Sequence, residues 1–533
     1  MHIIDLSIFI VYMLAMLGVG YYFLRSNKGM DDYYVGGRKM TSWHIGLSVV
    51  ATDVGGGFSI GLGGLGFTIG ISGSWMLFTG LIGAWLAAVF LIPIVRGNKA
   101  FEKFHTMPQL FAYFFDRKTA LVAALISAIG YLGFTSSQIL AGAKLASGTF
   151  PELGLNQALI IMGVIAVVYT VMGGIKAVIY TDTIQWIILL SGLIFIGIPL
   201  SYNAVGGWSA IKETLDPEML SLTNISWQDV IYWVVTIIPI WFVGMTLYQR
   251  IYASRDVKTA KKAWFIAGVF EWPIMAFMGV SLGLLARVAA DQGMFAGLGP
   301  ENIAQADPEK GLPMMLATVL PVGLLGLMMS AYFSAILSTA DSCLMASSGN
   351  FVSDFIKKFT NRFNSDKKEL RLSQIVTLII GAVALLLASA MENVLSLMLY
   401  SYAFMVSGLF VPILGGLFWK KSNSNAAFIS MIAGGFTTAL LQANKITFGT
   451  ATKMPELRTF IDEAKSKFEF TGINLENMTP GQVVESINKM QIIDLPFVDF
   501  LFKLPLGLDP NVFGILLSAI IFVTYSLIYP KNK

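Results

Sequence analysis

Four carboxylates, Asp53, Asp182, Glu271 and Asp341, stand in apolar stretches that run for about twenty residues or more, long enough to cross a bilayer. A carboxylate taken out of water is protonated, paired or bound to a cation. Fixed positive charge inside these stretches is scarce, with Lys144 the chief candidate, so sodium or protons are the expected counter-charge. Asp53 precedes Val54 and the run Gly55, Gly56, Gly57, within a stretch, residues 48–66, that holds seven glycines. Each glycine weakens a helix by about 1 kcal/mol relative to alanine, and three in succession predict an opened backbone. In a membrane such a backbone survives only against protein or a watery cavity, where its free carbonyls can ligate a cation. The other reading of the glycines is a close-packing helix face.

The string SAILSTADSC sets Ala335, Ser338, Thr339 and Ser342 at i, i+3, i+4 and i+7, one helical face, with Asp341 beside it. Hydroxyls are hard oxygen ligands suited to a hard cation; such a stripe also serves for hydrogen bonding between helices. Asp182, in KAVIYTDTIQ after Gly173 and Gly174, reads either as half of a structural ion pair, with Lys144 as partner, or as a cation ligand. Glu271, in VFEWPIM, precedes Pro273, which predicts a kink; it would form a salt bridge, stay protonated or face a solute. Asp53, Phe58, Gln138, Trp241, Glu271 and Tyr402 are the candidate solute-binding residues, and Tyr248 could line the same pocket. Aromatic residues in such helices also pack or anchor at the interface.

Composition narrows the class. The chain is 55% hydrophobic and 13% charged, against about 25% charge in a soluble domain. It reads as an all-α polytopic membrane protein. A net charge of +4 reflects loop lysines and arginines rather than a nucleic-acid surface. One cysteine, Cys343, excludes an intrachain disulfide, and the three histidines, His2, His44 and His105, show no metal-binding spacing. The N-terminus lacks a basic region and a cleavage site, so residues 5–24 are expected to stay as the first span.

Thirteen spans are expected: 5–24, 43–71, 74–95, 119–148, 157–175, 177–200, 229–248, 264–287, 313–344, 372–390, 394–419, 426–442 and 511–529. Lys and Arg crowd one set of loops, which predicts a cytoplasmic basic side, an outside N-terminus and a cytoplasmic C-terminus in a cell membrane. Spans 43–71 and 229–248 are both interrupted, the second by Pro239, and each is followed by four more. That layout predicts two inverted five-helix units, 43–200 and 229–419. Around them lie an N-terminal helix and loop (1–42), an external loop (201–228), an extra helix (420–442), an external cap (443–510) and a last helix with its tail (511–533). Loop 288–312 is expected outside with Asp291, Glu301, Asp307 and Glu309. Within the cap, 456–467 and 479–490 read as helices, and 501–508 as an apolar surface segment.

These segments together resemble the sodium/solute symporter family. The strings are DDYYVGGRKMTSWHIGLSVVATDVGGG, FHTMPQLFAYFFDRK, VYTVMGGIKAVIYTDTIQ, LYQRIYASRDVKTAKKA, SAILSTADSCLMASSGNFVSDF and GLFWKKSNSNAA, in family order over about residues 5–440. The resemblance implies a leucine-transporter-like core of five plus five inverted helices. It implies a main sodium site at the Ala51, Val54 and Ala335 carbonyls and the Ser338 and Thr339 hydroxyls. It also implies a second site, found in some members, at Asp182, Ser338, Asp341 and Ser342. Asp53 matches an aspartate of the proline permeases, whereas choline transporters have tryptophan there; their ADS string is shared here. The sugar members carry a lysine where Glu271 stands, and polar residues where this chain has Phe58 and Leu77, which argues against a hexose.

The expected function is sodium-coupled import of a small polar solute, cationic or zwitterionic, by alternating access, with Na⁺ as the coupling ion. The expected partners are the solute, sodium and the bilayer, with no nucleic acid and no obligate protein. Proton coupling on the same fold, or a membrane sensor, are the alternatives. A membrane enzyme is not expected, because there is no cluster of His or Cys and no nucleophile elbow.

Overall fold

The computed structural model describes residues 2–26, 35–53, 55–150, 152–296, 307–356, 366–451 and 508–530. The helices expected at 456–467 and 479–490, the segment 501–508 up to residue 507, and Glu301 lie outside them. Among the described residues nine helical stretches are long and apolar enough to cross a bilayer, or ten with one bent pair. The stretch Ser59–Val95 reverses at a 3-10 turn, Gly70–Ser74, where Gly73 packs back on Leu65. The apolar stretches Ile3–Met16 and Leu155–Val171 are shorter than the rest. The described residues thus hold nine or ten candidate spans where the sequence predicts thirteen.

Helix α1 (Ile3–Ser26) precedes a broken pair, α2 (Ser42–Asp53) and α3 (Gly55–Ile69). Helix α4 (Trp75–Leu86) runs on through a π turn to Val95. Helix α5 (Arg117–Thr149) is one continuous span. The helical run α6 (Leu155–Gly192) carries two apolar stretches and leads into Ile198–Ala204. Gly148 before it packs on Pro313 and Lys310, and the Val205 carbonyl after it accepts from Gln292 at 2.9 Å.

The second broken pair is α7 (Trp227–Val243) and α8 (Met245–Ala253), bent by 42°. Pro239 does not interrupt it, contrary to expectation; α7 runs through the proline. Proline withholds the N–H that would bond four residues back. The Val235 carbonyl left over accepts instead from Asn511 Nδ2 at 3.2 Å, and Thr236 Oγ1 accepts from the same amide at 2.8 Å. The break falls at Gly244, where ψ is 112°.

Helix α9 (Val257–Phe270) continues as a π turn, Glu271–Ala276, into α10 (Phe277–Asp291). Pro273 falls within that π turn. The expected single span 313–344 is two helices, α11 (Gly311–Val319) and α12 (Leu324–Gly349). Pro321 holds Leu320 extended, and Gly323 takes φ +87°. Then follow α13 (Asp366–Ser389), α14 (Val394–Phe418), α15 (Ser424–Ala451) and α16 (Pro510–Ile528).

Helix α12 is buried along nearly its whole length and packs against α5 and α6. Its first turn is capped from α1: Asp5 Oδ1, itself buried, accepts from the N–H groups of Gly323 (2.7 Å) and Gly326 (2.8 Å). Loops gather on two faces. On the basic face Arg38 donates to the Phe104 carbonyl, and Arg96 to those of Ser254 and Arg255. On the opposite face Lys144 pairs with Asp307 and Glu309, each at 2.7 Å. Lys144 is thus not the partner of Asp182. Glu309, expected in an external loop, is buried and accepts from the N–H groups of Val394 and Leu395 at the start of α14. A helix N-terminus and an ammonium together neutralise it.

Candidate cation and solute site

Helix α2 stops at Asp53 and α3 starts at Gly55, whose φ of +45° is left-handed. Gly56 and Gly57 are helical, so the three glycines do not open a longer segment as expected. One residue without a Cβ is enough to redirect the chain. A Cβ on Gly55 would lie 2.6 Å from Thr339 Oγ1, so the hydroxyl row of α12 abuts the break. Thr339 Oγ1 donates to the Ala51 carbonyl at 2.8 Å, with the Ala335 carbonyl at 3.2 Å. Ser338 Oγ donates to the Ala335 carbonyl at 3.0 Å. Ala51, Ala335, Ser338 and Thr339 therefore converge, while Val54 lies outside the described residues. Two carbonyls and two alcohols make a neutral set of hard oxygens, suited to a hard monovalent cation.

One helical turn toward the basic face the chemistry changes. Asp182 Oδ2 accepts from Ser48 Oγ at 2.5 Å and lies 3.8 Å from Arg250 Nη2. Arg250, wholly buried, donates to Ser48 Oγ (3.2 Å), Thr52 Oγ1 (2.5 Å), Ser342 Oγ (2.9 Å) and the Thr246 carbonyl (3.2 Å). Asp341 accepts from Thr170. Asp182 Oδ1 and Asp341 Oδ2 are buried and have no hydrogen-bond partner among the described residues. The expectation of buried acids almost without fixed positive charge is thus corrected: Arg250 stands among them. Sequence reading grouped it with the loop cations because it ended that span at residue 248. The signal lay in MTLYQRIYA, where Met245, Tyr248 and Tyr252 keep helical spacing beyond Gly244, and every residue of α8 is buried.

The second break is held differently. The Thr246 N–H donates to Tyr131 Oη at 3.1 Å, and Thr246 Oγ1 shares a hydrogen bond with that phenol at 2.9 Å.

The candidate solute residues fall into two groups. Gln138 donates to Ser137 Oγ (3.3 Å) and Met398 Sδ (3.7 Å), and Tyr402 lies edge-on to Phe134 at 4.9 Å, both at the contact of α5 with α14. Trp241 and Glu271 instead pack on α4, one turn apart. A Cβ at Gly83 would meet Trp241 Cδ1 at 2.3 Å, and a Cβ at Gly80 would meet Glu271 Oε2 at 1.9 Å. Both side chains are fully buried. Tyr248, also buried, donates to the Phe242 carbonyl at 2.8 Å, and Leu77 is buried. The side chains of Asp53 and Phe58 lie outside the description. Among the described residues no group of three or more His, Cys, Asp or Glu could hold a metal ion.

The sequence pattern of the sodium:solute symporter family matches residues 33–434. The osmoregulated proline transporter of Bacillus subtilis is 27% identical over 81% of this chain and 87% of its own length. The sodium/glucose cotransporter of Vibrio parahaemolyticus is 28% identical over 81% and 83%. Human sodium/myo-inositol cotransporter 2 is 27% identical over 81% and 68%. Among solved structures, a substrate-bound, outward-open Na⁺-coupled sialic acid symporter superposes with a TM-score of 0.71 at 22% identity, covering all of both chains. A nucleobase-cation-symport-1 transporter in a closed conformation gives 0.52 at 13% identity, over 94% of this chain and 96% of that one. The fold is that of the leucine-transporter-like symporters.

Proposed function

The chain belongs to the sodium:solute symporter family, and from that premise we propose that this sodium-coupled symporter imports a small polar organic solute by alternating access. The observation that carries the reading is the Thr339 hydroxyl seated on the Ala51 carbonyl, 2.8 Å away, beside left-handed Gly55. Sodium takes the lone pairs of the same oxygens once the hydroxyl hydrogen turns aside. It thereby ties α2 to α12 and stabilises one arrangement of the broken helix against its neighbour. The solute then fills the cavity between the broken pairs, the two five-helix units (43–200 and 229–419) tilt, and both leave on the far side.

The basic face is read as cytoplasmic, by the bias of short loops toward Lys and Arg, with the N-terminus outside. Sodium then enters down the membrane potential, which contributes about 2.3 kcal/mol per charge at 100 mV, roughly fortyfold accumulation for one ion. Asp182, Ser338, Asp341 and Ser342 offer a second cation position, supported by the two carboxylate oxygens without partners. Arg250 bridges α2 and α12 at the same level. It is a tethered cation drawing on Ser342 and Asp182, so a second sodium there competes with it.

The test is the double variant Ser338→Ala with Thr339→Ala. It should raise the sodium concentration for half-maximal uptake by on the order of tenfold, the effect of losing about 1.4 kcal/mol of ion binding. An unchanged sodium dependence would remove the main site. For the solute, the wholly buried Glu271 supports a cationic or zwitterionic compound. Glu271→Gln should raise the solute KM at least about tenfold, as expected when a buried charge pair loses one partner. Full transport by that variant would end the charge assignment without touching the sodium site.

A further inference from the structure

We propose that the groove between α2 and α9 at the basic face is a binding site for an anionic glycerophospholipid of the adjoining leaflet. The groove has a cavity volume of about 800 Å³ and is lined by Trp43 from α2 and by one face of α9. That face reads Lys258, Lys261, Lys262, Phe265 and Val269, so three ammonium groups occupy its basic-face end and apolar side chains the rest. From Lys258 to Val269 the helix rises by about 17 Å, close to half the hydrocarbon thickness of a bilayer, about 15 Å. The groove is as deep as one leaflet. Trp43 is 56% exposed, Phe265 39% and Val269 46%. These are large apolar surfaces left open on the outside of the fold, Phe265 also meeting the Trp85 ring edge-on at 6.0 Å.

The charges argue for a phosphate head group. No acid lines the groove. None of the three lysines forms a salt bridge among the described residues. The neighbouring Asp256 is engaged by Arg255 at 3.2 Å and by the Thr259 N–H at 2.7 Å. Lysines at i, i+3 and i+4 on one face repel one another, a local cost that a bridging phosphate removes. Positive residues at a membrane surface each add to the affinity for an anionic lipid, and basic pockets between helices hold such head groups. The site also adjoins the first broken helix. Gly46 of α2 packs on the Ala263 carbonyl of α9 at 3.1 Å from its would-be Cβ. An acyl chain alongside braces the half-helix that carries Ala51. The site stands on the groove alone and does not rest on the solute or sodium reading.

The test uses the full chain in neutral detergent, titrated with phosphatidylglycerol or phosphatidylcholine of matched acyl chains, with binding read by native mass spectrometry and by melting temperature. Phosphatidylglycerol should bind and raise the melting temperature, while phosphatidylcholine and inorganic phosphate should do neither. Lys258→Gln, Lys261→Gln and Lys262→Gln together should weaken phosphatidylglycerol by on the order of a hundredfold, and the three Lys→Arg changes should keep it. Equal binding of the two lipids by the unaltered chain overturns the proposal whether or not the glutamine variant folds. So does a glutamine variant that holds phosphatidylglycerol as well as the parent, or a thermal shift reproduced by phosphate alone.

Discussion

The two broken helices use the same backbone device with opposite polarity. Between α2 and α3 the turn is made by one left-handed glycine, and the neighbouring helix α12 offers an alcohol to a freed carbonyl, that of Ala51. Between α7 and α8 the turn is made by an extended glycine, and the neighbouring helix α5 offers a phenol to a freed amide, that of Thr246. The C-terminal end of a half-helix presents acceptors and the N-terminal end presents donors. On the reading proposed above, the acceptor used at the first break serves a cation, while the donor used at the second is already taken by a phenol oxygen. They are not independent. Arg250, on the half-helix after the second break, reaches Ser48 and Thr52 on the half-helix before the first. The guanidinium joins the two halves that lie toward the basic face.

The comparison breaks hardest at Gly55. Its φ of +45° costs an L-residue about 1–2 kcal/mol. The added methyl would also sit 2.6 Å from the Thr339 oxygen, inside contact distance. Gly55→Ala should lower stability by roughly 2–3 kcal/mol from the backbone and overpacking together. It should also abolish sodium-driven uptake while the folded protein is still recovered from the membrane. A variant that transports with the parent's sodium dependence would show that the first break holds no ion. The paired Ser338 and Thr339 changes come next in size, because they remove two ligands and leave the carbonyls in place.

What could be read from the sequence follows from what is local. The hydroxyl row on α12 and the first break each needed only helical spacing, a glycine run and an acid out of place; that the two meet was implied by the family resemblance alone. Gly244 was missed because Pro239, five residues earlier, carries the stronger local signal. Whether a proline interrupts a helix depends on who takes the orphaned carbonyl, here Asn511, more than 270 residues away. The partners of Asp182 and Lys144 were misassigned for the same reason. Charge inside a membrane pairs across the bundle, and a linear count cannot tell that Arg250 turns inward on a half-helix while Lys144 reaches Glu309 at the opposite face. Glu309 and Asp5 look like ordinary loop and terminal acids, and only the fold shows them capping the helices α14 and α12.

The smallest effect sharpens the comparison most. Tyr131→Phe deletes the oxygen that accepts the Thr246 N–H and leaves α5 otherwise packed against the second break. A buried donor left without its partner costs about 1–3 kcal/mol, and water or a rotated Thr246 hydroxyl recovers part of it, so a loss near 1 kcal/mol is expected in thermal unfolding. If the second break holds no cation, the sodium concentration for half-maximal uptake stays at the parent value, while the solute KM or the turnover shifts with the loosened half-helix. The opposite result, a sodium dependence weakened as much as in the Ser338 and Thr339 pair, would mean that both breaks serve one ion. The contrast between an acceptor end and a donor end would then carry no functional weight.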